Sequence, residues 1–176
     1  MASLLFFKRF RLLQQASAAL SSAQTFEAIL EVLRSAARRI ADADGVAVVR
    51  REGDMVAYVG EDSISPLWTG QRFPIERCIS GLAMLAREPI AIADIEADNR
   101  VPLSAYLATF VKSMAMFPLG TPVPVAALGL YWCEVRPLGR DVAALIGLLS
   151  QSANAAFERI AIGEERAACA APILAA

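Results

Sequence analysis

From Phe6 onward, one side of the chain repeats in alternating steps of four and three, at Phe6, Phe10, Leu13, Ser17 and Leu20. That spacing predicts a helix with a short coiled-coil-like seam, ending near Ser21 and Ser22. A second stripe at Leu5, Leu12, Ala16 and Ala19 widens the apolar face, and Lys8, Arg9 and Arg11 supply the polar side. The next pattern is the cleanest in the chain. Phe26, Ile29, Leu30, Leu33, Ala37 and Ile40 mark one face of a helix running to about Asp42. Thr25 is its expected N-cap, Glu27 suits the positive first turn, and Gly45 is its expected stop.

The period then changes to strand character. Val46–Arg51, a turn at Glu52-Gly-Asp and a return at Met55–Val59 predict an antiparallel hairpin. Residues 61–77 read as loop, with a short strand at Gly70–Phe73. A compact helix over Ser80–Arg87 should turn Ile79, Leu82, Ala83 and Ala86 inward, with Pro89 ending it and Ile90–Ile92 a short strand. A polar segment leads to an expected short helix at Ser104–Thr109. Two stronger strands follow, Ser113–Leu119 and Val125–Cys133, joined by a proline-rich turn. Val142, Leu145, Leu149, Ser152, Ala156 and Ile160 then predict a long helix from about Gly139 to Ile162, with Gly163 as its stop. The expected boundaries are an apolar and basic extension at 1–10, a domain at 11–162 and an alanine-rich tail at 163–176.

Composition narrows the chemistry. With 56% hydrophobic residues in a chain of 176, there is ample surface to bury in one domain. A net charge of −1 gives little support to a nucleic-acid partner. The chain has no histidine, which removes the commonest general base and the commonest zinc and haem ligand. Cys78, Cys133 and Cys169 are widely spaced and form no CxxC pair, so free thiols in a reducing cytoplasm are expected. No metal and no cofactor are expected. The charges of the first turns follow the apolar run, the wrong order for a signal peptide.

The run Arg77-Cys-Ile-Ser-Gly-Leu-Ala-Met-Leu-Ala-Arg-Glu-Pro-Ile-Ala-Ile-Ala-Asp-Ile resembles the segment of GAF domains in which a Ser-Gly turn opens a helix and Asp-Ile follows the next strand. Asp98-Asn-Arg, Tyr106 and Phe110-Val-Lys-Ser-Met-Ala-Met-Phe-Pro-Leu resemble the signature that comes next in that family. The likeness spans roughly residues 11–162 and is nearest to GAF domains at the front of bacterial sensor histidine kinases. Those members usually carry Trp where Leu82 stands. The resemblance implies an α+β fold: a central antiparallel sheet of about five to six strands, terminal helices on one face, and loops with short helices over the other. It implies no catalysis. No kinase or cyclase follows in this chain, so output through a partner or an oligomer is expected.

Within that frame the expected ligand-side residues are Trp68, Phe73, Cys78, Asp94, Arg100, Tyr106, Phe110, Ser113, Met114, Met116 and Tyr131. Apolar walls with a few polar tips suit a small-molecule effector, and a filled core uses the same placement; both readings stay open. Asp94, Asp98 and Arg100 either bind a polar effector or serve the turns of their own loop. Cys78 precedes a short helix, where a thiolate can be stabilised. In bilin-binding relatives a His follows the cysteine; here Ile79 does. A GAF-type methionine sulfoxide reductase needs two thiols close together, and the surroundings of these cysteines do not resemble that subfamily. Phe6, Phe10, Leu13, Leu20, Leu145, Leu149, Ala156 and Ile160 are expected to pair protomers into a homodimer or to meet a partner. Residues 4–13 also offer a peripheral membrane contact. The sensory reading competes with that of an assembly subunit that keeps the fold without a ligand.

Overall fold

The computed structural model describes residues 2–170. Two helices, α1 (Ala2–Ser22) and α2 (Phe26–Ala41), lead into the hairpin β1 (Gly45–Glu52) and β2 (Met55–Ser63). Then come β3 (Arg72–Pro74), α3 (Ile79–Ala86), β4 (Ile90–Ile92), β5 (Ser113–Leu119), β6 (Ala126–Trp132) and the long α4 (Arg140–Ala170). The strands make one sheet in the order β3-β2-β1-β6-β5-β4, with every neighbouring pair antiparallel. The expected α+β architecture is the observed one.

Both faces of the central strands are buried, so their sequences read as nearly continuous apolar runs. Alternation still separates the two sides. Val46, Val48, Ala115, Phe117, Leu128 and Leu130 meet the helices, whereas Ala47, Val49, Met114, Met116 and Tyr131 meet the loops.

On the helix side, α2 and α4 lie on the sheet and α1 lies across both of them. Ile29, Leu33 and Ile40 of α2 are fully buried, each side chain contributing about 1.5–3 kcal/mol of transfer free energy. Thr25 caps α2 as expected, its hydroxyl accepting from the Ala28 N–H at 3.1 Å. The stop is Asp42, which takes the left-handed conformation at φ 51°. Gly45 instead opens β1, where a Cβ would come within 2.8 Å of the Phe110 ring. Ser17 and Ser152 share a hydrogen bond of 2.9 Å between α1 and α4. Arg159 of α4 donates to the carbonyls of Leu20 and Ala23, the first of which also accepts the Ala23 N–H, closing the end of α1.

Other expectations need correction. α4 continues through Gly163 to Ala170, because one glycine costs a helix only ~1 kcal/mol and the flanking Ala, Glu and Arg favour it. The Cys169 side chain and residues 171–176 lie outside the described part. In place of a helix at Ser104–Thr109 there is a 3-10 turn, Leu103–Ala105. There the Thr109 hydroxyl donates to the Tyr106 carbonyl and accepts from the Val111 N–H, holding a turn in competition with a helix. In α3 the buried face is Ile79, Ser80, Ala83 and Met84, while Ala86 is exposed. Gly81 is required for packing: a Cβ there would lie 1.8 Å from the Ile75 carbonyl oxygen.

Candidate functional site

The loop-covered face of the sheet is built around Trp68. Its position is set by Glu61 on β2, whose carboxylate accepts the backbone N–H groups of Leu67, Trp68 and Thr69 at 2.9–3.1 Å. Partial burial pushes the Glu61 carboxyl up, but these bonds outweigh it and hold it below its ordinary value. The indole N–H donates to the Ala105 carbonyl at 3.2 Å, tying the 61–77 loop to the 98–110 loop.

Three tyrosines close around that indole, all in edge-on arrangements. Ring centroids lie 5.4 Å away for Tyr58, 4.9 Å for Tyr106 and 5.5 Å for Tyr131, separations at which aromatic pairs attract. Phe73 meets Tyr58 at 5.6 Å from the other side. Met84, Met114 and Met116 fill the floor beneath them. What remains between Tyr58, Trp68, Phe73, Cys78, Pro102 and Tyr106 is about 20 Å³, room for about one water.

The polar tips inside this packing are few. Tyr58 Oη faces Ser80 Oγ at 3.4 Å, and the Ser80 hydroxyl donates to Cys78 Sγ, also at 3.4 Å. Tyr106 donates to the Met114 sulfur at 3.7 Å. Tyr131 is folded back over Gly129, where a Cβ would come 2.6 Å from its hydroxyl oxygen. Its hydroxyl is buried facing that of Tyr58 but makes no hydrogen bond of ordinary geometry. Burial pushes the phenol of Tyr58 up to about 12 and raises those of Tyr106 and Tyr131 well above their usual value.

The structure brings together Trp68, Phe73, Cys78, Tyr106, Met114, Met116 and Tyr131, and places Phe110 at the rim, half-buried beside Gly45. It does not bring in the other three. Asp94 accepts from the Glu96 N–H in its own turn. Arg100 is exposed and pairs with Asp98 at 2.6 Å. Ser113 shares the helix-side register of Ala115 and Phe117 and donates to the Glu134 carbonyl. Tyr58 and Ser80 belong to the cluster and were not anticipated. The alternation of Val56 with Tyr58 on β2 was the available signal for the tyrosine.

Outside the aromatic cluster lies an open groove of about 520 Å³, lined by Ile95, Leu103, Tyr106, Leu107, Val111 and Lys112 among others. Lys112 and Glu96 form an ion pair of 3.1 Å at its edge. Tyr106 lines both spaces and separates them.

The surroundings of the two described thiols, Cys78 and Cys133, both disfavour the thiolate. Burial pushes the Cys78 thiol up, against the opposing effect of Ser80 and the Gly81 N–H. The Asp44 carboxylate raises that of exposed Cys133. Among the described residues no group of three or more Cys, Asp or Glu side chains is placed to hold a metal ion.

The helix seams also resolve. Leu13, Leu20, Leu145, Leu149 and Ala156 are buried in the chain's own core and are not available to a partner. The α1 and α4 seams meet each other and α2, which satisfies them within one chain. Phe6 and Phe10 remain exposed and Ile160 half-exposed. The outward face of α4 presents Leu148, Ala155 and Ile162 instead.

No family model and no curated protein sequence matches the chain. Solved structures do. Free methionine-R-sulfoxide reductase from Neisseria meningitidis, solved with its substrate, is 15% identical with a TM-score of 0.76, covering 88% of this chain and 91% of that one. The GAF domain of a phosphoenolpyruvate-protein phosphotransferase from Coxiella burnetii is 16% identical with a TM-score of 0.75, covering 90% and 98%. A GAF sensor protein from Burkholderia vietnamiensis is 10% identical with a TM-score of 0.71, covering 89% and 92%. Element order, sheet topology and these likenesses agree: the chain has the GAF fold.

Proposed function

We propose that the chain is a non-catalytic regulatory GAF domain that acts by contact through its helical layer. The observation that carries this reading is the state of the loop-side chamber, filled by Trp68 and three tyrosines down to the volume of one water. The Burkholderia GAF sensor protein among the structural neighbours supports a regulatory role. The sulfoxide reductase neighbours keep catalysis as the competing reading. Against it stand Cys78 and Cys133, the thiols among the described residues, whose surroundings disfavour the thiolate that attack requires.

The contact surface, in this reading, is the outward face of α4. Leu148, Ala155 and Ile162 recur at heptad spacing and are exposed along a helix longer than the sheet beneath it needs. A homodimer made there would supply the partner that the terminal helices were expected to meet.

A second reading rests on Tyr106 and the unpartnered Tyr131 hydroxyl. If Tyr106 swings into the outer groove, the two spaces join, and an effector that also displaced Trp68, whose ring lies against Tyr131, could offer the buried hydroxyl a hydrogen bond. Calorimetry against cyclic nucleotides, small anions, tetrapyrroles and free methionine sulfoxide separates the readings. Flat titrations, no sulfoxide turnover, and a dimer in sedimentation that Leu148→Glu dissociates would support action by contact. Saturable heat weakened by Tyr131→Phe would replace it with the effector reading, and turnover lost in Cys78→Ser with catalysis.

A further inference from the structure

The first turns of α1 do not fit a helix that packs against one neighbour. Leu4, Leu5, Phe6 and Phe7 are consecutive and all exposed, at 64%, 49%, 39% and 61%. At 100° per residue they cover the whole circumference of the helix. One flat partner needs only an apolar stripe, whereas a helix end apolar on every side is suited to being surrounded, and the charges beside it say by what. Arg9 pairs with Asp42, the C-cap of α2, so the residues before it reach beyond that helix.

One turn above this tip the chemistry changes sign. Lys8, Arg11 and Arg39 line one open groove of about 340 Å³ between α1 and α2, together with Leu12 and Gln15 and with no carboxylate. None of the three makes an ion pair among the described residues. The chain as a whole is near neutral, so this local excess of positive charge is a property of the tip.

We propose that this end of α1 docks the domain on an anionic lipid surface. Leu4 to Phe7 enter the boundary between headgroups and acyl chains end-on, spanning roughly 6 Å at 1.5 Å per residue, within the depth of roughly 5–10 Å that interfacial helices reach with one face. Lys8, Arg11 and Arg39 then lie level with the lipid phosphates. Among the described residues no helix is long and apolar enough to cross a membrane, so the contact is peripheral. It concerns a surface distinct from the α4 face and from the aromatic cluster, and it stands whether or not the regulatory reading above holds.

The test is co-sedimentation of the full chain with vesicles of phosphatidylcholine, alone or mixed with phosphatidylglycerol. Binding to the mixed vesicles should be roughly tenfold or more tighter than to the neutral ones, as expected for three cations near an anionic surface. Leu4→Ser with Phe7→Ser should abolish it, and Lys8→Glu with Arg11→Glu should remove the preference for the anionic lipid. All four side chains are exposed, and unchanged thermal unfolding of both variants checks that the fold is intact. Equal binding to both vesicles, or binding that survives Leu4→Ser with Phe7→Ser, would overturn the proposal. So would no vesicle binding together with self-association that the same double variant dissolves, since a second copy would then cover the tip.

Discussion

The two faces of the sheet are buried to a similar degree but by different means. On the helix side the core is chiefly aliphatic, with Ile29, Leu33, Leu128, Leu149 and Ala153 in full contact. On the loop side the core is aromatic and sulfur-rich: Tyr58, Tyr131, Met114 and Met116 from the strands meet Trp68, Tyr106, Cys78 and Met84 from the loops and α3. The aliphatic face has few polar atoms, and those it has, the Trp132 indole N–H and the hydroxyls of Ser113 and Ser150, each find a carbonyl, so packing chiefly determines it. The aromatic face must place hydroxyls, an indole N–H and sulfur among one another, and it leaves one hydroxyl unsatisfied. The first arrangement provides stability. The second provides a chamber whose contents depend on a few side-chain positions.

Substitutions should separate the two faces by size of effect. Leu149→Ala on the helix side should cost about 3 kcal/mol in urea unfolding, through lost transfer energy and the cavity left behind. A cost below about 1 kcal/mol would mean that the helical layer is looser than its burial implies. On the loop side, Gly129→Ala puts a methyl group against the Tyr131 hydroxyl and should cost about 1–3 kcal/mol by overpacking. Adding Tyr131→Phe removes the nearest of the crowding atoms and leaves the ring carbon at 2.9 Å and the Met116 sulfur at 3.0 Å, so the pair should be less destabilised than the sum of the singles but not restored.

Alkaline titration probes the loop side without mutation. The folded-state phenol of Tyr58 is raised to about 12, against about 10 when unfolded. Its contribution is therefore complete below about pH 10 and lost as pH rises from there toward 12, with a slope of at most ~1.4 kcal/mol per pH unit. Phenolate absorbance should stay absent from the native protein past pH 10, since all three tyrosines are shifted the same way. Any tyrosine that titrates at its ordinary value would show that the chamber admits water. The smallest change expected is Tyr131→Phe alone. Losing an unpartnered buried hydroxyl should be neutral or stabilising by up to ~1 kcal/mol in the same unfolding assay.

How much of this was legible in the sequence also divides by face. The period of α2, the capping by Thr25 and the hairpin of β1 and β2 follow from local chemistry that each segment carries within itself. The helix seam at Leu13, Leu20, Leu145, Leu149 and Ala156 was visible as periodicity, but periodicity does not say whose core it fills, and it fills the chain's own. On the loop side, aromatic and methionine positions were readable from strand alternation at Met114, Met116 and Tyr131. Asp94 and Arg100 were misplaced because their partners, Glu96 N–H and Asp98, lie two residues away, and a turn closes on itself without entering the chamber. Ser113 failed by one register position, which on a strand means the opposite face. That Tyr131 lies over Gly129, and that Tyr58 reaches Ser80, depends on side-chain directions across separate elements, which no local pattern encodes.

The central claim is that the chamber under the loops is already occupied by the chain's own aromatic side chains. Titrating indole into wild type and into Trp68→Ala tests it most directly, because removing the central ring should leave an apolar cavity of indole shape. The account predicts no heat with wild type, and with the variant saturable binding that restores part of the stability lost. Indole binding by wild type, or a variant as stable as wild type that binds none, would contradict it.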